Sequence, residues 1–290
     1  MKFGRLALIL ATLWALAACS PFSILNATVG ESEFSVQSGI RFGPDARHAL
    51  DVYVPRQPAG PLPIVVFFYG GSWRQGERAD YLFAAEALAS RGYIAVVPGY
   101  RLYPAVRFPA FVEDGAKAVR WVLDHAAEIG GDPDRVYLMG HSAGAHIAAM
   151  LTLDDRYLAA EGIAVNRIRG TIVLAGPYSF YPSRTASVAP IFAHLTDENV
   201  ARPIVFVDGN EAPMLLLHGG DDDTVFLYNT VDLTKAVRRA GGSIQYIVYP
   251  DVGHLGILLA LAKPFRNIAP VLDDTAAFID GRRLPSTVNR

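Results

Sequence analysis

The chain has 290 residues, 51% of them hydrophobic and 11% aromatic, with a formal net charge of −2. That is enough apolar material for one sizeable core, and a single large α/β domain accounts for the length. A near-neutral balance offers no basic field of the kind that nucleic acid or a polyphosphate requires. At the start, Lys2 and Arg5 precede an uncharged, mostly apolar run over 6–18. It is too short to span a bilayer and reads as an export signal over 1–18. Residues 19–32 are small and polar and read as a tether ahead of one domain over 33–282. Strand-like runs follow at 34–41 and 49–54, separated by the turn formers Gly43, Pro44 and Asp45. The runs 64–69 and 93–97 are continuously apolar, as in strands buried on both faces. Between them 80–91 has helical spacing and ends at Gly92. Residues 111–129 read as a long amphipathic helix, with Phe111, Ala118, Trp121, Val122 and Ile129 near one face. Gly130, Gly131, Asp132 and Pro133 stop it. Next come strand 135–139, helix 143–153, strands 170–175 and 214–218, helix 227–240, strand 244–249 and a C-terminal helix. This alternation predicts an α/β fold: a mostly parallel, eight-stranded, doubly wound sheet flanked by helices, with two antiparallel strands at the front. Residues 176–212 lack a clear period and are rich in Pro, Tyr and Phe, which predicts a lid-like insertion over the site.

Gly140-His141-Ser142-Ala143-Gly144 stands between strand 135–139 and helix 143–153. A bare G-x-S-x-G is common by chance, but between a strand and a helix it is specific. Its glycines permit a turn tight enough to lift the Ser142 hydroxyl clear of the sheet edge. A serine hydroxyl is protonated at neutral pH, so Ser142 needs a base and an acid to orient that base. In this arrangement they follow in the order acid then His, each after a later strand. Strand 214–218 is followed by Asp221, Asp222 and Asp223, and strand 244–249 by His254. His254 is the candidate base. His48 lies in the front turns, His125 on an outer helix and His194 in the lid; His141 is the free position of the motif and His146 lies one turn inside the helix. His218 is the rival because it ends a strand, but its place before Gly219-Gly220 suits a structural bond to the loop bearing the acid. Position alone leaves the acid open among the three aspartates. For the developing oxyanion, the Ala143 N–H is one candidate donor, and Gly71 and Ser72, after the third strand, supply the second. Trp73, Tyr100, Tyr103, Phe180 and Tyr181 are the aromatic residues expected around an apolar pocket. No metal or organic cofactor is implied: there is no clustered His/Cys set and no dinucleotide fingerprint, and Gly70-Gly71 lacks the rest of a phosphate loop.

Together with Leu50-Asp51-Val52-Tyr53-x-Pro55, Gly70-Gly71-x-Trp73, Tyr100-Arg101-Leu102, Phe108-Pro109, Asp114 and Gly131-Asp132-Pro133, these motifs resemble a known family over 51–278. It is the bacterial carboxylesterase group of α/β-hydrolases, which includes acetyl and feruloyl esterases, lipase-like esterases and formamidases. The resemblance implies an α/β-hydrolase fold and a serine esterase acting on a small-molecule ester without a cofactor. An amidase, formamidase or peptidase on the same triad is the alternative, and a non-catalytic surface binding protein the remote one. The family pattern H-G-x-x-D-x-x-V falls on His218, Gly219, Asp222 and Val225, which implies Asp222 as the acid. One residue departs: Tyr69 stands where such proteins usually have His ahead of the double glycine. In the family that position anchors the oxyanion loop, so Tyr69 alters the loop's support. At the N-terminus, Leu16-Ala17-Ala18-Cys19 contains the single cysteine and resembles a bacterial lipoprotein signal. That implies lipidation of Cys19, export, and attachment to a membrane by the lipid; Ser20 after the cysteine favours the outer membrane. A plain cleaved signal with an incidental cysteine is the other reading. Nothing in the sequence fixes the oligomeric state.

Overall fold

Residues 64–68 are apolar without a break because they are covered on both sides. The structure, a computed structural model, describes residues 22–30, 33–58 and 60–284. In it these five residues are the fully buried end of strand β3 (Leu62–Phe68). The expected export signal, Cys19 and much of the expected tether lie outside the described residues. The other strands are β1 (Phe34–Arg41), β2 (Ala49–Pro55), β4 (Ile94–Pro98), β5 (Gly131–His141), β6 (Ile168–Leu174), β7 (Met214–Gly219) and β8 (Ile244–Tyr249). They form one eight-stranded sheet in the order β1-β2-β4-β3-β5-β6-β7-β8. β2 pairs antiparallel with β1 and β4, and all other neighbours are parallel, so the front of the sheet is as expected.

The longer helices are α1 (Leu82–Ala89), α2 (Ala110–His125), α3 (Ala143–Leu153), α4 (Asp155–Ala160), α5 (Tyr228–Ala240), α6 (His254–Leu259) and α7 (Val271–Ile279). Helix α2 buries Phe111, Val112, Val119 and Val122 and turns Glu113 and Asp124 to solvent. It stops at His125, short of the expected 129. The chain there reverses through Gly130 at φ +82°, and the Gly131 N–H bonds back to the Ala126 carbonyl. β5 accordingly begins at Gly131, earlier than the expected 135. Helix α3 has no polar face, and every one of its residues is buried. Its small side chains let it lie close against β5 and β3. A Cβ on Gly144 would stand 2.0 Å from the Phe68 carbonyl oxygen, so only glycine fits there. Phe68 pairs with Gly140, so β3 and β5 end side by side at one edge of the sheet.

Residues 176–212 run over that edge as short turns (Pro182–Arg184, Glu198–Ala201, Pro203–Phe206) and one helical turn (Ala189–Phe192). Side chains of the domain tie them down. Asn229 of α5 accepts hydrogen bonds from the Tyr178 and Ser179 N–H groups at 3.0 Å each. Phe180 and Phe192 pack around Trp73 at centroid distances of 6.2 and 5.2 Å.

Candidate active site

Ser142 occupies the turn between β5 and α3 with φ 54° and ψ −118°, a conformation that non-glycine residues adopt only when their surroundings enforce it. The surroundings here are backbone. A Cβ on Gly140 would meet the Gly144 carbonyl oxygen at 2.3 Å, and the Ser142 N–H is held by the Leu174 carbonyl at 2.9 Å. The strained turn sets Ser142 Oγ 2.9 Å from His254 Nε2. His254 opens α6 after β8, and its Nδ1 lies 2.8 Å from Asp222 Oδ2, in the loop after β7. Three sheet connections thus converge on one hydrogen-bonded line. Asp222 Oδ1 accepts from the Val225 and Thr224 N–H groups at 2.8 and 3.0 Å, which fixes the rotamer. Burial pushes the Asp222 carboxyl up, but the bonds from His254, Val225 and Thr224 outweigh it and hold the carboxyl below the usual range. Asp221 and Asp223 are exposed and Asp222 is buried, so of the three only Asp222 is placed against His254. His218 does not approach Ser142. Its Nε2–H donates to the Val225 carbonyl at 2.8 Å and its Nδ1 accepts from the Thr230 hydroxyl at 2.8 Å, tying β7 to the loop that bears Asp222.

The turn after β3 lies against the same serine. Gly71, Ser72 and Trp73 all have positive φ (121°, 53° and 56°), and a Cβ on Gly71 would stand 2.2 Å from the Gln75 carbonyl oxygen. Among the described residues, the turn's hydrogen bonds use the N–H groups of Arg74 and Gln75, leaving those of Gly71 and Ser72 unspent. Ala143 begins α3, so its N–H has no intrahelical acceptor. Ser72 and Ala143 line one cavity with Ser142, and Gly71 stands one residue behind. Tyr69 holds this loop from beneath. It is fully buried and stacks on Tyr100 at 4.5 Å and Tyr81 at 5.1 Å, and its carbonyl accepts from the Tyr100 hydroxyl at 2.7 Å. Burial pushes its phenol up more than the nearby Arg47 charge pulls it down, so it stays neutral. Arg47 donates to the Tyr69 hydroxyl (3.0 Å), the Gly76 and Tyr100 carbonyls (2.6 and 2.7 Å) and Glu77 (2.6 Å). One guanidinium therefore joins both ends of the turn after β3 to the segment that follows β4. Sequence reasoning did not find Arg47; a lone arginine between two front strands carries no sign of what it reaches.

His141 was also passed over as the free position of the motif. Its Nε2–H donates to the His254 carbonyl at 2.9 Å, and the two rings lie 4.8 Å apart. Burial, then the neighbouring His254, pushes the His141 imidazole down to about 3, so it stays neutral and acts as a fixed donor to the backbone of the candidate base. The cavity in front of Ser142 is about 1160 Å³. Trp73, Phe180 and Tyr181 line it as expected. Tyr100 instead lies under the turn after β3, where its hydroxyl finds a partner, and Tyr103 lies beneath the Arg74 guanidinium at 4.5 Å. The walls are not apolar throughout: Arg184, Arg202, Lys235, Arg239 and Asp232 share them. Among the described residues no group of three or more His, Cys, Asp or Glu side chains is arranged to hold a metal ion.

Residues 50–167 match the BD-FAE family model, and residues 110–281, more than half of the chain, match that of the prolyl oligopeptidase family. The chain belongs to the prolyl oligopeptidase family, with an α/β-hydrolase fold. This prolyl oligopeptidase family member is 29% identical over 282 residues to a probable isoprenylcysteine alpha-carbonyl methylesterase of Arabidopsis thaliana, covering 86% of this chain and 59% of that one. Esterase LipQ of Mycobacterium tuberculosis is 27% identical over 267 residues, covering 85% of this chain and 63% of that one. The chain thus spans about six tenths of the length of the curated relatives it matches. An inhibited esterase B from Lactobacillus rhamnosis superposes with a TM-score of 0.77 at 20% identity and covers 96% of each chain, a likeness of fold.

Proposed function

We propose that this prolyl oligopeptidase family member is a serine esterase that cleaves carboxylic esters through an acyl-enzyme on Ser142. The observation that carries this reading is the unbroken line Ser142 Oγ–His254–Asp222, with links of 2.9 and 2.8 Å. The esterase names of its relatives point the same way. In the proposed reaction, His254 Nε2 takes the Ser142 proton as Oγ attacks the carbonyl carbon. Asp222 stabilises the resulting imidazolium, and the N–H groups of Ala143 and the Gly71–Ser72 turn receive the oxyanion. His254 then protonates the departing alkoxide. Water repeats the sequence on the acyl-enzyme and releases the acid.

The test is hydrolysis of p-nitrophenyl esters by the wild type and by Ser142→Ala, with fluorophosphonate labelling of both. Turnover and labelling that vanish together with Ser142 support the reading; turnover that survives the substitution overturns it. The family model's description favours a second reading, cleavage of an amide or peptide bond by the same residues. Matched p-nitroanilides separate the two. We also propose that the chain is exported and lipid-anchored at Cys19, on the strength of the run over 6–18 and its ending Leu16-Ala17-Ala18-Cys19. Palmitate incorporation lost in Cys19→Ser checks it.

A further inference from the structure

The charge on the cavity wall is opposite in sign to that of the whole chain. The protein carries a formal net charge of −2, yet four cations line the cavity in front of Ser142, against one carboxylate, Asp232. Two of the cations, Lys235 and Arg239, stand one turn apart on α5 and are exposed. Arg184 comes from the segment over the sheet edge and is exposed as well. Among the described residues none of these three is in an ion pair. Glu198, bonded to Ser183, lies near enough to Arg184 to offset part of its charge, which leaves the α5 pair as the strongest feature. Arg202 is committed to structure. It donates to the Asn199 side chain and the Ser179 carbonyl and lies 3.8 Å over the Tyr181 ring, although its buried Nε–H has no partner.

A cleft with one sign of charge and low-dielectric walls concentrates ligands of the other sign. Apolar surface is provided beside the cations: Phe226 and Tyr228, stacked at 6.3 Å, are 57% and 47% exposed and line the same cavity. Exposed aromatics beside unpaired cations form a surface for a ligand with an apolar body and an anionic group. Resting on the esterase reading, we propose that the substrates of this site are esters that carry a carboxylate or similar anion apart from the scissile bond, received by Lys235 and Arg239, with Arg184 on the same cavity wall.

Two matched pairs of esters test this at the acyl and the alcohol side: mono-4-nitrophenyl glutarate against 4-nitrophenyl pentanoate, and 4-carboxyphenyl acetate against phenyl acetate. In low salt at least one anionic ester should exceed its neutral partner in kcat/KM by ~10-fold, the worth of one good charge-assisted contact. The ratio should shrink as sodium chloride is added, because the cations are exposed. In Lys235→Gln/Arg239→Gln it should approach one. Neutral esters hydrolysed with no preference in either pair, or a preference that survives the double substitution, overturns the proposal and leaves the esterase reading standing. Hydrolysis of none of the four esters overturns both.

Discussion

Ser142 is held by backbone, whereas His254 is held by side chains on both its ring and its carbonyl. The positive φ of Ser142 is enforced by glycines with no room for a Cβ, and the His254 carbonyl is held by His141 from the residue before the serine. Removing the hydroxyl in Ser142→Ala should lower kcat by ~10⁵-fold or more in a p-nitrophenyl ester assay, with the fold unchanged by circular dichroism. Asp222→Asn should cost ~10⁴-fold, because an amide N–H facing His254 Nδ1 favours the wrong tautomer. His141 acts through His254, so its loss should have a different signature. His141→Ala should reduce kcat ~10-fold with KM little changed, since a buried carbonyl loses its partner and the base loses its fixed position. His141→Gln, which retains a donor, should recover part of that loss. A rise in KM with kcat intact in His141→Ala would contradict a positioning role for His141.

At the scale of elements, the turn after β3 is held by contacts from distant parts of the chain. The sequence marks the loop by Gly70-Gly71 and marks Tyr69 as a departure from the resembling group. It gives no hint that Arg47, in a turn between β1 and β2, closes the loop with four hydrogen bonds. Contacts of that range follow from the β2-β4-β3 strand order, which no local period encodes. The turn at Ser142 and the buried runs of β3 to β7 were legible because each has a local cause: a steric demand for glycine, or burial on both faces. Asp222 was legible only through the family pattern; its selection in space comes from the N–H groups of Thr224 and Val225. Arg47→Ala should lower kcat about 10-fold or more with little change in KM, because it loosens the donors rather than the binding wall. Tyr69→Phe, which removes one of the four bonds, should lower it less. Gly144→Ala sets a methyl against the Phe68 carbonyl and should destabilise the domain by about 3 kcal/mol or more, read as a shift in urea midpoint.

Over the whole molecule, buried histidines make stability depend on pH, and His141 and His146 are pushed down furthest. Burial pushes His146 down to about 4, more than its bond to the Ala201 carbonyl raises it, and His141 lies at about 3. The unfolded chain binds protons at both positions near the ordinary value of 6.5, and the folded chain does not. Stability is therefore full above about 6.5 and falls with acidification through the window down to about 4 and 3, by ~1.4 kcal/mol per pH unit for each histidine. His146→Gln keeps a donor for the Ala201 carbonyl and removes one of these protons. Its loss of stability between pH 7 and pH 5 in urea titrations should be smaller than the wild type's by about 2 kcal/mol. The same global packing decides what the sequence hides about the cavity. Residues 176–212 have no period, so nothing local says that Phe180 and Tyr181 face the site while Tyr100 lies beneath the loop. The mechanism requires a covalent acyl group on Ser142, and intact-mass spectrometry followed by peptide mapping of enzyme quenched during turnover of p-nitrophenyl butyrate detects it. One butyryl increment on the peptide that contains Ser142, absent from Ser142→Ala, is the expected result. Steady turnover with no acylated serine in the wild type, or the same increment in Ser142→Ala, would contradict it.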